Sequence, residues 1–161
     1  MKTLLAIITI LCFCETVRAQ TNDSTLADDV RQSRPFLSEK AKAFRLSLEL
    51  NTIHVSEETF WLGFTIYNSS NLSFPIDFIR LYIKDRKQAK RSSAQELEIL
   101  PIYMDTITNV SAKRTERFVI AVPKFTIPDN KECLIEIFET NGGRNLTMKI
   151  TNQQLFKAKS L

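Results

Sequence analysis

A two-residue period of apolar side chains is the feature that most restricts how this chain can fold. From Phe44 to Leu50, phenylalanine or leucine occupies every second position, and arginine, serine and glutamate occupy the positions between. Residues 60–66 alternate in the same way, with Trp61 and Tyr67 on the opposite face. Such alternation is typical of strands with one buried face. The two segments are therefore predicted to form a hairpin.

A third segment, residues 76–84, is apolar on both faces. Isoleucine and leucine line one face, and Phe78, Arg80 and Tyr82 line the other, which predicts a central strand. Four more strands are predicted at residues 97–104, 117–122, 132–138 and 144–150. About seven strands with short connections, and no ten-residue helical period in the body, predict an all-β fold. We expect an antiparallel immunoglobulin-like β-sandwich.

Turn signals separate these strands. Asn141, Gly142 and Gly143 stand between the last two predicted strands, where asparagine and glycine would supply the positive φ angles of a tight hairpin. Pro123 and Pro128 bracket a short apolar segment. Because proline cannot donate to a strand ladder, that segment is predicted to be bent or to lie at a sheet edge.

The N-terminal residues 1–19 have the features of a secretory signal peptide. Lys2 precedes an apolar run of 11 residues from Leu4 to Cys14, and Val17 and Ala19 provide a small-x-small cleavage pattern. The run is shorter than the about 20 residues that span a bilayer. Export with cleavage is therefore predicted, and a membrane anchor is disfavoured.

The remaining chain is divided by composition into two parts. Residues 20–43 are polar and short of large apolar side chains, which predicts a leader that enters a short helix across Glu39–Ala43. Residues 44–161 are predicted to form the β-sandwich. Nothing in this part repeats.

Charge and cysteine content exclude several classes of protein. Cleavage of the signal removes two basic residues and one acidic residue, which leaves 20 basic and 17 acidic residues in 142 and a net charge of +3. So small an excess does not indicate nucleic-acid binding. Cys133 is then the one remaining cysteine, so no intrachain disulfide is expected. A chain of this length can bury a core without disulfides.

No group of residues in the sequence indicates catalysis. His54 is the single histidine and has only Glu57 and Glu58 nearby, so we expect a surface or turn histidine rather than a metal ligand or a base. Cys133 alternates with isoleucines, which predicts a buried and inert thiol. We therefore expect a protein that is not an enzyme and that has no cofactor and no metal.

The densest charged feature is the basic run from Lys84 to Arg91, with five basic residues in eight. One interpretation is a patch for phosphates or for an acidic partner. The other, which we favour, is a solvated loop after a strand, because the aromatic residues of a single-strand binding surface are missing. The sequence leaves both open.

Three segments resemble the TraN family of bacterial conjugative transposons. They are PIDFIRLYIKDRKQAKRSSAQELEILPIY (residues 75–103), VPKFTIPDNK (residues 122–131) and ETNGGRNLTMKI (residues 139–150), followed by the closing KAKSL. The similarity runs in order from Phe74 to Lys159. The resemblance implies an exported, non-enzymatic subunit of a type IV secretion apparatus, in the periplasm or at the outer membrane. Its implied partners are other subunits of that apparatus and a second copy of the chain.

The resemblance and the basic run together name ten candidate partner-binding residues and no catalytic ones. These are Arg80, Lys84, Arg86, Lys87, Lys90, Arg91, Gln95, Glu96, Asn141 and Arg144. Turn geometry alone is sufficient to explain Gly142 and Gly143. Arg80 is also placed to pair with a carboxylate such as Glu96 on a neighbouring strand.

Family members normally carry a sizeable region between the signal peptide and this domain, whereas only about 50 residues separate the predicted signal peptide from Phe74 here. The sequence therefore also permits an accessory role for this short form. The alternative function, from another class, is a secreted or periplasmic β-sandwich that acts as an adhesin or binds a ligand outside conjugation.

Overall fold

The computed structural model of the chain describes residues 23–86 and 96–161. The predicted signal peptide lies outside these residues. Within them the chain forms two helices, α1 over residues 23–32 and α2 at Asn152–Leu155. The strands are β1 (Glu39–Ala43), β2 (Leu46–Ser56), β3 (Thr59–Asn68), β4 (Phe74–Asp85), β5 (Glu96–Glu98), β6 (Tyr103–Met104), β7 (Asn109–Val110), β8 (Thr115–Pro123), β9 (Lys131–Glu139), β10 (Asn145–Ile150) and β11 (Lys159–Ser160).

The strands form two sheets that pack face to face. The first sheet has the order β1-β2-β3-β8-β6, and β11 pairs with β2 in parallel. The second has the order β10-β9-β4-β5, and β7 pairs with the start of β4. Apart from β11, every pairing within the described ranges is antiparallel. The predicted all-β antiparallel sandwich is confirmed.

The apolar faces predicted from the two-residue period form the core between the sheets. Leu48, Leu62 and Ile135 are fully buried there. Phe64 and Phe118, on neighbouring strands of the first sheet, stack with ring centroids 5.2 Å apart. Burial of each such side chain contributes about 1.5–3 kcal/mol, so the alternating pattern supplies much of the driving force for folding.

Helix α1 covers the outer face of the first sheet. Ala27 and Val30 are buried against Trp61, and together with Val119 and Ala121 they form a second apolar cluster. Arg31 Nη2 fastens the helix by donating to both carboxylate oxygens of Asp105, at 2.7 and 2.8 Å. The glycine at position 63 permits this close packing, because a Cβ there would overlap Thr52 Oγ1 and press on Val30.

The expected helix across Glu39–Ala43 is wrong. These residues form strand β1, which pairs with β2 from Glu39 opposite Leu50 to Ala43 opposite Leu46. Its side chains include no large apolar residue, so the period of two was not visible there. Phe44, which the alternation placed on a strand, lies in the turn between β1 and β2 and is 55% exposed.

The predicted strand over residues 97–104 is in fact two strands in different sheets. β5 pairs with β4 in the second sheet, and β6 pairs with β8 in the first. The chain crosses between the sheets at Pro101, which lacks the N–H that a continuous strand would use. No helix within the described ranges is long and apolar enough to cross a membrane.

His54 is buried, and the expectation of a surface or turn histidine is wrong. It lies within β2, where Phe36 packs edge-on at a centroid distance of 5.5 Å and Lys159 of β11 is the paired residue. Burial, with the charge of Lys159, lowers the pKa of His54. The two-residue strand β11 that covers it has no sequence signature. Cys133 is a buried core thiol as predicted, and burial raises its pKa to about 12.

Candidate partner-binding site

An apolar groove opens where β5 of one sheet faces the segment that follows β8 of the other. Its volume is about 510 Å³. The lining residues are Ile83, Leu97, Glu98, Ile99, Leu100, Pro123, Lys124, Phe125, Thr126, Pro128 and Lys131. The groove arises because the chain leaves the second sheet at Pro101, and because the segment after β8 lies between Pro123, which ends β8, and Pro128 and joins neither sheet.

Two leucines on one side of the groove are largely exposed. Leu97 is 64% exposed and Leu100 is 70% exposed. On the opposite side Phe125 is held by an edge-on contact with the buried Phe60, with ring centroids 6.0 Å apart. Clustered, exposed aliphatic side chains on a folded domain are typical of surfaces that bind another molecule. The groove therefore offers an apolar surface supported by core packing.

Both lysines that line the groove form ion pairs. Lys124 Nζ lies 2.9 Å from Glu58 Oε1, and Lys131 Nζ lies 3.8 Å from Asp85 Oδ1. These cations are therefore already partly neutralised. Binding in the groove would depend on apolar contact rather than on charge.

Strand β5 borders the groove and forms the edge of its sheet. It pairs with β4 through Glu96 opposite Lys84 and Glu98 opposite Tyr82, and no strand within the described ranges pairs with its other edge. An open strand edge can accept an extended segment of a second protein, with main-chain hydrogen bonds for affinity and side-chain pockets for specificity. The groove would supply such a pocket.

Arg80 attaches β5 to the sheet from the outer face. Its Nε donates to Glu136 Oε2 at 2.9 Å, and its Nη1 donates to Glu96 Oε2 at 3.3 Å, so the predicted pairing with Glu96 is confirmed. The guanidinium lies 4.3 Å above the ring of Tyr82. Hydrogen bonding to Glu136 raises the pKa of Arg80, and burial together with Glu136 raises the pKa of Tyr82 to about 12.

Replacing Arg80 with methionine is expected to lower the free energy of unfolding by about 1–2 kcal/mol, because Glu136 then loses its partner in a half-buried place. Urea-induced unfolding measures the loss. Lys40→Met is the control, since Lys40 forms a more exposed pair with Glu49 at 3.2 Å and should lose less than about 0.5 kcal/mol. Equal losses in the two variants would contradict the role given to Arg80.

The described part of the basic run is engaged in local contacts near the groove. Lys84 Nζ lies 3.9 Å from Glu132 Oε1, and Arg86 Nε donates to the carbonyl of Lys131 at 2.9 Å. Both residues thus tie β4 to β9. Four further candidates lie outside the described residues, and their role in binding stays a prediction: Lys87, Lys90, Arg91 and Gln95.

The hairpin between β9 and β10 lies at the other end of the sandwich. Arg144 Nε donates to Glu139 Oε1 at 2.9 Å, and its Nη2 donates to the carbonyl of Ser73 at 2.6 Å. Hydrogen bonding from Arg144 lowers the pKa of Glu139. Arg144 is therefore a structural residue of this hairpin, and the structure does not bring it together with Arg80 and Glu96.

The expected positive φ angles of the hairpin are confirmed for asparagine only. Asn141 has a φ of 52°, and neither Gly142 nor Gly143 has a positive φ. Gly142 leaves room for a side chain instead, because a Cβ at this position would overlap the carboxylate of Glu139 and displace it. The prediction was wrong here because the restriction comes from a side chain that folds back over the turn.

The groove residues were not among the sequence candidates. The two-residue period predicts a strand for Leu97 and Leu100, and the flanking prolines predict a bent segment for Phe125. The available signal was Pro101 in the middle of the predicted strand, directly after Leu100, because proline interrupts the hydrogen bonding of a continuous strand. No group of three or more potential metal ligands occurs within residues 23–86 and 96–161.

Comparison with known proteins places the chain in a family. The curated proteins contain no match to it. The protein-family model described as domain of unknown function DUF4138 matches residues 24–160. The match includes α1 and the strands β1 to β3, so the family domain begins before Phe74, where the similarity noted in the sequence started. The chain belongs to the DUF4138 family.

Proposed function

We propose that this protein is an exported, non-enzymatic component of a conjugative transfer apparatus of the type IV secretion class. In this role it binds a partner subunit in the periplasm or at the outer membrane. The partner contributes an extended apolar segment that pairs with the free edge of β5 and places its side chains in the groove.

One observation carries the proposal. All the residues that line the groove belong to two of the segments that resemble the TraN family, residues 75–103 and 122–131. These segments are distant in the chain, and the fold brings them together around one apolar surface. A groove lined wholly by residues of these segments supports a binding role, since a core requirement alone would not favour large apolar side chains at the exposed positions 97 and 100.

The chemistry of the groove supports a protein partner over a small charged ligand. Its rim cations are paired with Glu58 and Asp85, and its interior is lined by leucine, isoleucine, proline and phenylalanine. The described members of the basic run form local contacts and do not point to a phosphate site. We therefore assign the main contact to the groove and β5.

Affinity purification from donor cells tests this function. A tag after Leu161, cross-linking in intact cells and mass spectrometry of the envelope fraction are expected to recover subunits of the transfer apparatus. Recovery of the protein free of such subunits would contradict the proposal. Selective recovery with surface glycans instead would favour the adhesin or ligand-binding alternative.

A further inference from the structure

Three turns meet at the end of the sandwich that is opposite the groove. The β1–β2 turn follows Ala43, the β3–β4 loop follows Asn68, and the β7–β8 turn precedes Thr115. The strand register brings them together, because Leu46 lies opposite Asn68 and Thr115 lies opposite Tyr67. The groove lies at the other end of β3, where Thr59 pairs with Pro123.

Hydrogen bonds join the three turns into one surface. The backbone N–H and the hydroxyl of Ser69 both donate to the carbonyl of Arg45, at 2.8 and 2.7 Å. Lys113 Nζ donates to the carbonyl of Ser69 at 2.6 Å, and the N–H of Asn68 donates to the carbonyl of Arg114 at 3.0 Å. The side chains on these turns are therefore presented on a connected frame.

The β1–β2 turn holds an aromatic side chain outward in an unfavourable backbone conformation. Phe44 and Arg45 have φ angles of 50° and 63°, which such turns usually assign to asparagine and glycine. The left-handed conformation disfavours a bulky side chain. Burial of the Phe44 ring does little to offset this backbone strain, since the residue is 55% exposed. Backbone strain with an exposed aromatic residue is a feature of functional surfaces.

The β3–β4 loop presents a second apolar side chain at the same end. Leu72 is 68% exposed, and its carbonyl accepts a hydrogen bond from the side chain of the fully buried Asn68 at 2.7 Å. Asn68 Oδ1 in turn accepts from the N–H and hydroxyl of Ser70, at 3.0 and 2.6 Å. The loop is thus organised from within, and Leu72 projects from an ordered base.

Four cations lie on or next to the same three turns as these two apolar side chains. Lys42, Arg45, Lys113 and Arg114 are all exposed, and within the described residues none of them forms an ion pair. Residues 41–47, 67–73 and 110–115 contain no aspartate or glutamate. We name this surface the basic turn face, and its residues are Lys42, Phe44, Arg45, Leu72, Lys113 and Arg114. A hollow of about 470 Å³ next to Phe44 is lined by Lys42, Arg45 and Tyr67.

We propose that the basic turn face docks on an anionic phospholipid surface. Phe44 and Leu72 would enter the boundary between headgroups and acyl chains, and the four cations would lie over the phosphates. Charge complementarity and the protruding apolar residues together favour this ligand. A nucleic acid would also satisfy the cations, but it would leave the exposed aliphatic side chain of Leu72 without a partner. An acidic protein would do the same unless it carried an apolar pocket.

This inference is independent of the groove. The two surfaces lie at opposite ends of β3 and share no residue. Docking through the basic turn face would leave the groove directed away from the membrane and open to a partner subunit. A failure of lipid binding would therefore leave the proposed partner-binding function untouched. A failure of partner binding in the groove would likewise leave the proposed lipid binding untouched.

A tryptophan placed at the turn tip tests the proposal directly. In Leu72→Trp, adding phosphatidylcholine vesicles that contain phosphatidylglycerol should shift the emission to shorter wavelength, because the indole enters a less polar medium. Phe156→Trp is the matched control, since Phe156 is 76% exposed next to α2 and outside the face. Its emission should not change. The buried Trp61 contributes the same background to both variants. No shift at position 72, or an equal shift at position 156, would overturn the proposal.

Charge removal gives a second measurement with the full chain. Lys42→Gln with Arg45→Gln should weaken partitioning onto the anionic vesicles about tenfold, and added salt should weaken the wild type in the same direction. Lys149→Gln with Lys157→Gln removes the same charge from exposed positions elsewhere and should bind like the wild type. Equal loss in both double variants would contradict the proposal. Binding of the wild type to a nucleic acid or to polyglutamate, without binding to the vesicles, would also contradict the proposal.

Discussion

Replacement of Asp105 by alanine is expected to lower the free energy of unfolding by about 3 kcal/mol and to expose Trp61 to solvent. The carboxylate of Asp105 is 14% exposed and accepts four hydrogen bonds. Two come from Arg31 Nη2, one from Tyr103 Oη at 2.7 Å and one from the N–H of Val119 at 2.8 Å. Removing the acceptor takes from the Arg31 guanidinium its more buried carboxylate, leaving only the exposed Asp28, and it removes the side-chain acceptor of the Val119 N–H, which is among the more costly single changes.

The same change should loosen α1. Arg31 is the link between the helix and Asp105, and Ala27 and Val30 bury Trp61 beneath it. Trp61 is the only tryptophan in the chain. Its emission wavelength and its quenching by acrylamide therefore measure directly how well α1 shields it from solvent. We expect a shift to longer wavelength and stronger quenching in the native state of the variant.

Asp28→Ala provides the matched control for this prediction. Asp28 contacts the same arginine, but its side chain is 58% exposed, so the loss should stay under about 1 kcal/mol and the emission of Trp61 should not move. An Asp105→Ala variant with the stability and the fluorescence of the control would show that the Arg31–Asp105 contact does not hold α1 in place.

The second large effect is expected in the groove. Leu97→Glu with Leu100→Glu should weaken binding of the partner subunit about a hundredfold, since it removes two apolar contacts and places two carboxylates in an apolar surface. The fold should tolerate the change, because both side chains are mostly exposed. Thermal unfolding checks the fold, and titration with the partner recovered from the envelope measures the affinity.

Gln153→Glu with Phe156→Glu is the control for the groove variant. It adds the same two negative charges at exposed positions in and next to α2, outside the groove lining. We expect this variant to bind the partner like the wild type. If both double variants lose affinity equally, the loss reflects net charge rather than the groove, and the assignment of the binding site is wrong.

The sequence was sufficient to predict the two-layered β fold, because the alternation of apolar and polar residues indicates which face of a strand is buried. In β3, Trp61 and Tyr67 lie on the face opposite the main core, as predicted. In β4, Leu81 and Ile83 face the main core, and the strand lies between β9 and β5 as the predicted central strand. The sequence was not sufficient where a strand is only two residues long or has no large apolar side chain. β11 buries His54 through two residue pairs, and β1 has no large apolar side chain, so neither has a periodic signal.

The candidate site could be predicted only in part for a related reason. The Arg80–Glu96 contact follows from residue type and strand proximity, and it was anticipated. The groove depends on where the chain leaves one sheet at Pro101 and on how far Phe125 stands from β5, which is tertiary information. Charged residues stand out in a sequence as candidates for a binding site. The groove is apolar, and in the sequence its leucines look like core residues, because exposure is a property of the folded chain.

Site-specific photo-cross-linking tests the central claim most directly. A photoreactive amino acid at position 100 should cross-link to a subunit of the transfer apparatus in donor cells, and the same amino acid at position 156 should not. Adding Leu97→Glu to the position-100 protein should abolish the cross-link. Cross-links of equal yield from both positions, or none from position 100 while the protein is present in the envelope, would contradict the account.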